Sequence, residues 1–338
     1  MTGLIMFVSL LSGAGQLVFA AGPGNHLFLP LIADSGGSTS VGATPVPTHA
    51  PTATPAPTAT RAPTAIPTIS ANDPVVVAAG DIATCNAPGD TQTAALIANN
   101  PGASVLALGD NAYADGTALE YSTCYDPIWG SFKNRTYPIP GNHDYMTIGA
   151  SGYFGYFGAA AANPSQGWYS FNLGSWHILA INSNCVQVGG CNTNSPQEQW
   201  VRADLAAHPA LCTMAIWHHP RYSSGRNGDF TQMTAIWQDL YNAGADVVLS
   251  GHDHDYERFA PQDASGNLDP NRGIVQIVAG TGGGSYTALI YPLQPNSLAS
   301  LDYTYGILKM TLHSNSYSWQ FVPVSGSYTD SGTASCHK

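Results

Sequence analysis

Five short segments of this chain carry residue types able to hold metal ions. They are Gly80-Asp81, Gly109-Asp110-Asn111-Ala112-Tyr113, Gly141-Asn142-His143-Asp144, Trp217-His218-His219-Pro220 and Gly251-His252-Asp253-His254. Their Asp, His, Asn and Tyr side chains offer oxygen and nitrogen donors of the kind that suit Zn, Fe or Mn rather than a thiolate-seeking ion. A carboxylate can bridge two such ions about 3.5–4 Å apart, and the pair then clamps the attacking and leaving oxygens of a displacement at phosphorus. Water bound to such an ion has its pKa lowered towards about 7, which makes hydroxide available at moderate pH. Each segment alone is a weak signal. A Gly-Asp pair is often only a turn, and Gly-Asn-His-Asp can be an Asx-type turn. Two histidines at i and i+2 in Gly251–His254 are more telling, and the ordered set of five carries the reading.

Each segment follows an apolar run, as in VVVAAG, VLALG and DVVLSG. Near-continuous apolar runs are the mark of strands buried on both faces. The runs Pro74–Gly80, Ser104–Asp110, Tyr137–Gly141, Met214–His218, Asp246–Gly251 and Ile274–Gly280 are read as strands. Helices are expected over Asp90–Asn99, Ser195–Ala207 and Phe230–Ala243. The second has Ser195, Pro196 and Glu198 at the cap, first and third positions of a capping box. Trp168–Ser183 and Gly306–Pro323 read as hairpins with turns at Leu173-Gly174-Ser175 and Ser314-Asn315-Ser316. Strands alternating with helices, plus hairpins, predict an α/β (α+β) layered domain. In such sheets the crevice beyond the carboxyl ends of the strands is where loops gather ligands, and a glycine before each aspartate lets the backbone turn sharply there.

With 338 residues, 44% of them hydrophobic, the chain can bury a sizeable core. Its 21 acidic and 10 basic residues give a formal net charge of -11, which excludes nucleic acid as the main partner. The six cysteines contain no CxxC pair, so zinc ribbons and thioredoxin-type chemistry are excluded and disulfides are expected. Cys185 and Cys191 flank a short loop and are read as partners; Cys85 with Cys124 and Cys212 with Cys336 complete the set. Residues 1–21 read as a signal peptide or N-terminal anchor, although no basic residue precedes the apolar run. Residues 22–71 form a Thr/Pro-rich spacer that cannot build a core. It is suited to hold the folded domain, 72–338, away from a cell surface. Secretion or display at the cell surface is the expected location.

The five segments, in this order, resemble the signature of the calcineurin-like metallophosphoesterases, and GHDHDYER at Gly251–Arg258 is especially similar to the purple acid phosphatase branch. The resemblance spans roughly Pro74 to Thr281. It implies a four-layer β-sandwich of two mixed sheets flanked by helices. It also implies two metal ions, Fe with Zn, Mn or Fe, with Asp81, Asp110, Tyr113 and His254 on the first. Asp110 would bridge to the second, completed by Asn142, His218 and His252. His143 would hold the phosphate and protonate the leaving oxygen, and metal-bound hydroxide would attack in line. The implied partner is a small phosphate ester, a monoester by the branch resembled; a diester or nucleotide and a non-catalytic metal-stabilised module are the alternatives.

Most members of the family use a histidine two residues after the first aspartate. Here that position is Ala83, and Tyr113 sits where the purple acid phosphatases place their tyrosinate. The plant enzymes also carry substrate-facing histidines after the fourth motif; the loop Arg221–Gly228 has none, so Arg221 and Arg226, with Asn142 and His143, are the residues read as facing substrate. Tyr256, Glu257 and Arg258 are expected to brace the Gly251–His254 loop. The run Gly280–Gly284 is read as able to approach phosphate, without the Lys-Ser/Thr element of a P-loop. His219 is expected to point away from the metals, and His177 to be packed or exposed. His208, His313 and His337 are expected at the surface, and His49 in the solvated spacer.

Overall fold

Val75–Ala79 alternates its side chains between two separate apolar layers, as a strand buried on both faces must. Val76 and Ala78 enter one core cluster and Val77 and Ala79 the other. A computed structural model describes residues 73–338 of the chain. The N-terminal segment and the spacer, with His49, lie outside the described residues.

The first sheet is six-stranded, in the spatial order Ser331–Ser335, Ser316–Pro323, Gly306–Leu312, Val75–Ala79, Ser104–Leu108, Thr136–Ile139. Val75–Ala79, Ser104–Leu108 and Thr136–Ile139 run parallel, and the C-terminal meander adds antiparallel neighbours. The second sheet is seven-stranded, in the order Ser297–Leu301, Tyr256–Phe259, Val275–Ala279, Val247–Ser250, Cys212–Ile216, Trp176–Ala180, Tyr169–Leu173. It is parallel at its centre and antiparallel at both ends. The larger core joins the two sheets, through residues such as Leu106, Ile139, Ile178, Met214 and Leu308. The smaller core packs the outer face of the first sheet against Ala94 and Ile97 of the helix Gly89–Ala98 and against Trp129 and Tyr153. The helices Pro196–Ala207 and Thr234–Ala243 contribute Val201, Ile236, Trp237 and Leu240 to the larger core. This is the two-sheet layered fold that the motif order implied.

Several elements depart from the sequence reading. The helix expected from Phe230 begins with a 3-10 turn at Thr231–Met233 and becomes α-helical at Thr234. Ser195 does cap the helix Pro196–Ala207, accepting the Glu198 N–H, but the Glu198 carboxylate takes the N–H of Asn194 rather than that of Ser195. The reciprocal half of the capping box is thus displaced by one residue. Tyr256–Phe259 is a strand, not merely a brace. Glu257 does tie the loop at Ser224 to Ser297, whereas Tyr256 and Arg258 turn to Asp330. His313 is buried against Asp73, with Nδ1 2.6 Å from its carboxylate. His337 packs on Asp246 at 2.7 Å.

All six cysteines are paired, Cys85–Cys124, Cys185–Cys191 and Cys212–Cys336, with Cα–Cα separations of 4.9, 5.2 and 5.4 Å. No helix among the described residues is long and apolar enough to cross a membrane.

Candidate metal centre

The carboxyl ends of five strands meet where Gly80 of the first sheet packs against Gly251 of the second. Gly80 donates its N–H to the Ala279 carbonyl, and Gly251 donates to that of His218. A Cβ on Gly80 would sit 2.9 Å from the Leu108 carbonyl oxygen and 3.2 Å from the Gly251 Cα, so the approach of the sheets requires glycine there. Immediately after the glycines, Asp81, Asp110 and His252 adopt left-handed backbone conformations with φ of 61°, 48° and 72°. Such conformations are unfavourable for residues with a Cβ, yet they turn all three side chains into one pocket.

Within it, the Tyr113 hydroxyl lies 2.9 Å from Asp81 Oδ1, 3.1 Å from Asp110 Oδ2 and 3.1 Å from His254 Nε2. His254 Nε2 is 3.3 Å from Asp81 Oδ1. On the other side of Asp110, His218 Nε2 stands 3.4 Å from Asp110 Oδ1 and 3.1 Å from Asn142 Oδ1. The His252 ring is 5.0 Å from that of His218. The pocket is cross-tied through the backbone: His252 N–H donates to Asp81 Oδ2 and His143 N–H to Asp110 Oδ1, both at 2.8 Å. Asp144 locks two motifs together by accepting from Gly141 N–H, Asn111 Nδ2 and the Tyr121 hydroxyl.

The donor chemistry fits cations. Tyr113 has one hydroxyl hydrogen to share between two carboxylate oxygens, with His254 Nε2 also in reach. The Leu108 carbonyl, 2.8 Å from His218 Nδ1, can only accept, so Nδ1 carries a hydrogen and Nε2 is the atom presented to Asp110 and Asn142. This fixed second nitrogen is what a metal-ligating histidine needs. Protons alone give a strained electrostatic balance. Burial opposes charge on His218, but the Asp110 carboxylate outweighs it and raises the imidazole to about 9. Burial likewise pushes Asp110 up, and His218 with His143 overcomes this and holds the carboxyl below its usual range. Burial, with Asp110 and Asp81 beside it, drives the Tyr113 phenol well above its ordinary value. Burial and then His218 push His252 down to about 4. A positive ion at this point would oppose the carboxylates and favour the phenolate.

His143 sits at the pocket edge, about a third of its side chain exposed, with Nδ1 2.5 Å from the Ala114 carbonyl and Nε2 4.0 Å from Asp110 Oδ2. Arg221 is buried, stacked over Tyr222 and 4.0 Å from Asp229, whereas Arg226 is exposed beside Asn227, whose side chain holds the His252 carbonyl. The amides of the glycine run serve the loop rather than a ligand: Gly282 N–H donates to the Gly80 carbonyl and Gly284 N–H to that of Asp81. His219 corrects the sequence reading. Its ring lies 4.3 Å from that of His252, stacked on Phe230 and fixed by Ser183 at 2.8 Å. Ser285 also escaped notice; its hydroxyl meets His254 Nδ1 at 2.6 Å and orients that ring. Nothing in the local pattern around Ser183, Phe230 or Ser285 signals these contacts, which join segments far apart in the chain.

Such a nest of oxygen and nitrogen donors at the strand ends of a two-sheet α/β sandwich is able to hold cations. The model of the calcineurin-like phosphoesterase family matches residues 74–256, and the chain belongs to that family. It is 30% identical over 226 residues to purple acid phosphatase 15 of Arabidopsis thaliana, covering 56% of this chain and 41% of that protein. It is 27% identical over 215 residues to acid phosphatase type 7 of Homo sapiens, covering 53% and 48%. A third relative, 27% identical over 247 residues and covering 63% and 40%, is named a probable inactive purple acid phosphatase of Arabidopsis thaliana. The chain thus spans less than half the length of these relatives. Among solved structures, purple acid phosphatase PPD1 of yellow lupin superposes with a TM-score of 0.62 over 78% of this chain and 53% of that one, at 20% identity.

Proposed function

We propose that this protein is an exported phosphatase that hydrolyses phosphate monoesters at a two-metal centre. Asp81, Asp110, Tyr113 and His254 would hold one ion, and Asp110, Asn142, His218 and His252 the other, with Fe in the first position and Zn, Mn or Fe in the second. When bound, such ions polarise the phosphoryl group and make hydroxide available near neutral pH. The observation that carries the reading is the position of Asp110, whose two carboxylate oxygens face Tyr113 on one side and His218 on the other.

The remaining work falls to the chain's own groups. The Ala114 carbonyl only accepts, so the His143 Nδ1 hydrogen is committed to it and Nε2 is the atom left to meet substrate. From the pocket edge, Nε2 can hydrogen-bond a phosphoryl oxygen and pass a proton to the departing alkoxide. The Asn142 amide, beside His218, can donate to the same phosphoryl group through Nδ2. The buried carboxylates and the glycine-tied loops keep these atoms from relaxing apart, which is where preorganisation acts. Likeness to named acid phosphatases supports the monoester preference, and three disulfides support an oxidising compartment.

The test is turnover of a nitrophenyl phosphate monoester beside the matching diester by the metal-loaded full chain. Monoester preference is expected, with kcat reduced about 10²–10⁴-fold in His143→Ala. Equal or better diester turnover would overturn the substrate assignment. Unchanged activity in both His143→Ala and Asp110→Asn would remove the site itself.

A further inference from the structure

A second group of metal-ligating side chains lies apart from the pocket. His177, Asp204 and His208 each bring one ligand atom within 4.8 Å of the other two. His177 belongs to the strand Trp176–Ala180, Asp204 to the helix Pro196–Ala207, and His208 is the C-cap of that helix. His177 Nε2 is 2.7 Å from Asp204 Oδ2, and His208 Nδ1 is 3.2 Å from Asp204 Oδ1. The two imidazoles lie nearly parallel, 4.9 Å apart. The His208 separation is close to those inside the pocket, where His254 and His218 stand 3.3 and 3.4 Å from their aspartates, whereas His177 is in direct hydrogen-bond contact with Asp204.

The surroundings orient His177 and Asp204 as a metal site requires. Asn172 Oδ1, 2.8 Å from His177 Nδ1, accepts the hydrogen on that nitrogen and so turns Nε2 towards Asp204. The Ser170 hydroxyl donates to Asp204 Oδ1 at 2.8 Å, leaving Oδ2 to face His177. Both orienting residues sit on Tyr169–Leu173, the edge strand of the seven-stranded sheet. His177 and Asp204 are buried, while the His208 side chain is 49% exposed and opens the cluster to solvent. Two imidazoles and one carboxylate, with a solvent-facing side for water ligands, suit zinc and its neighbours rather than calcium or magnesium.

We propose that His177, Asp204 and His208 form a structural site for one zinc-class divalent ion, separate from the catalytic pair. The ion would fasten the helix Pro196–Ala207 and its C-terminal cap to the sheet beside the edge strand. Without it, His177 and Asp204 form a proton-mediated ion pair, and His208 Nδ1 rests 3.0 Å from the Asp204 carbonyl.

The full chain, its catalytic centre filled beforehand and freed of excess metal, is titrated with Zn²⁺ by calorimetry and then melted with and without the added ion. One further equivalent of Zn²⁺ is expected. At a hundredfold excess over its Kd, the melting temperature should rise by about 5 °C or more. His208→Ala, at a half-exposed position, should lose both the extra equivalent and the rise. Absence of an extra equivalent in the wild-type protein overturns the site. So does an equal uptake and an equal rise in His208→Ala.

Discussion

Replacing Tyr113 by Phe removes a single oxygen and leaves the ring in place, 4.7 Å from the His143 ring. That oxygen touches Asp81, Asp110 and His254 at 2.9, 3.1 and 3.1 Å but can donate only one hydrogen. In the metal-free protein the loss is therefore one hydrogen bond to a carboxylate, about 1.5–3 kcal/mol. For a domain of this size that corresponds to a fall in Tm of roughly 3–12 °C. With metal the expected effect is larger. Loss of an outer partner of a ligand typically weakens metal binding about 10–100-fold, so loss of a direct ligand should weaken the first ion by at least about 100-fold. Metal titration of the stripped protein, followed by calorimetry and visible absorption, measures this. A phenolate on Fe(III) gives a charge-transfer band, which the wild-type protein should show and Tyr113→Phe should lack. Unchanged metal affinity in the variant would refute Tyr113 as a ligand. A colourless wild-type protein, fully active with zinc or manganese alone, would refute the iron assignment while leaving the phosphoesterase reading standing.

Two further outcomes follow from the geometry. A Cβ at Gly141 would overlap the carboxylate and backbone nitrogen of Asp110, so Gly141→Ala should abolish turnover and metal uptake together, measured by assay and metal analysis; retained activity would show that the Asp110 loop can move aside. In the helix Thr234–Ala243, burial and then Glu198 across the helix pair raise the Asp239 carboxyl from 3.8 to about 6. Because the folded value lies above the unfolded one, the native state holds more protons between these values and stability falls as pH rises through them. The full shift would be worth about 3 kcal/mol, but partial exposure reduces it to about 1 kcal/mol. Asp239→Asn should therefore raise Tm at pH 7 and leave it nearly unchanged at pH 4, as read by thermal melts; a gain at both values would point to a cause other than this charge.

The five motif segments were legible because each sets a polar residue directly after an apolar run, a pattern that costs burial unless something binds there. The core strands were legible for the same reason: Val247–Ser250 and Val275–Ala279 are buried along their whole length and are mostly apolar, with Ser250 ending the first and Gln276 alone interrupting the second. The edge strands Ser331–Ser335 and Ser297–Leu301 were not. Ser331–Ser335 holds no large apolar residue and exposes alternate positions, so only its backbone pairing with Ser316–Gln320 makes it a strand. Ser297–Leu301 buries Leu301 but leaves Leu298 exposed, and it is held by its pairing with Tyr256–Phe259. The orientations of His219 and His313 depend on Ser183, Phe230 and Asp73, partners that no local periodicity reports. Local sequence shows that a segment bears ligand atoms; distant packing decides which way each ring turns.

The backbone at Asp81, Asp110 and His252 ties that packing to the chemistry. A left-handed conformation costs a residue with a Cβ roughly 1–2 kcal/mol, and glycine would avoid it. The chain instead keeps a donor at the same point after three different strands, each time directly behind a glycine. Two of the strained residues hold each other, since the His252 N–H is bonded to the Asp81 carboxylate, and the third receives the His143 N–H. Relaxing any one of them would release a loop from the opposite sheet or the neighbouring motif. A scaffold shaped for stability alone has no use for the same strain repeated at three points that face one another. A pocket that must hold two like-charged carboxylates, Asp81 and Asp110, in fixed positions does, and the shared geometry of the three turns is the physical reason these donors can be drawn from both sheets at once.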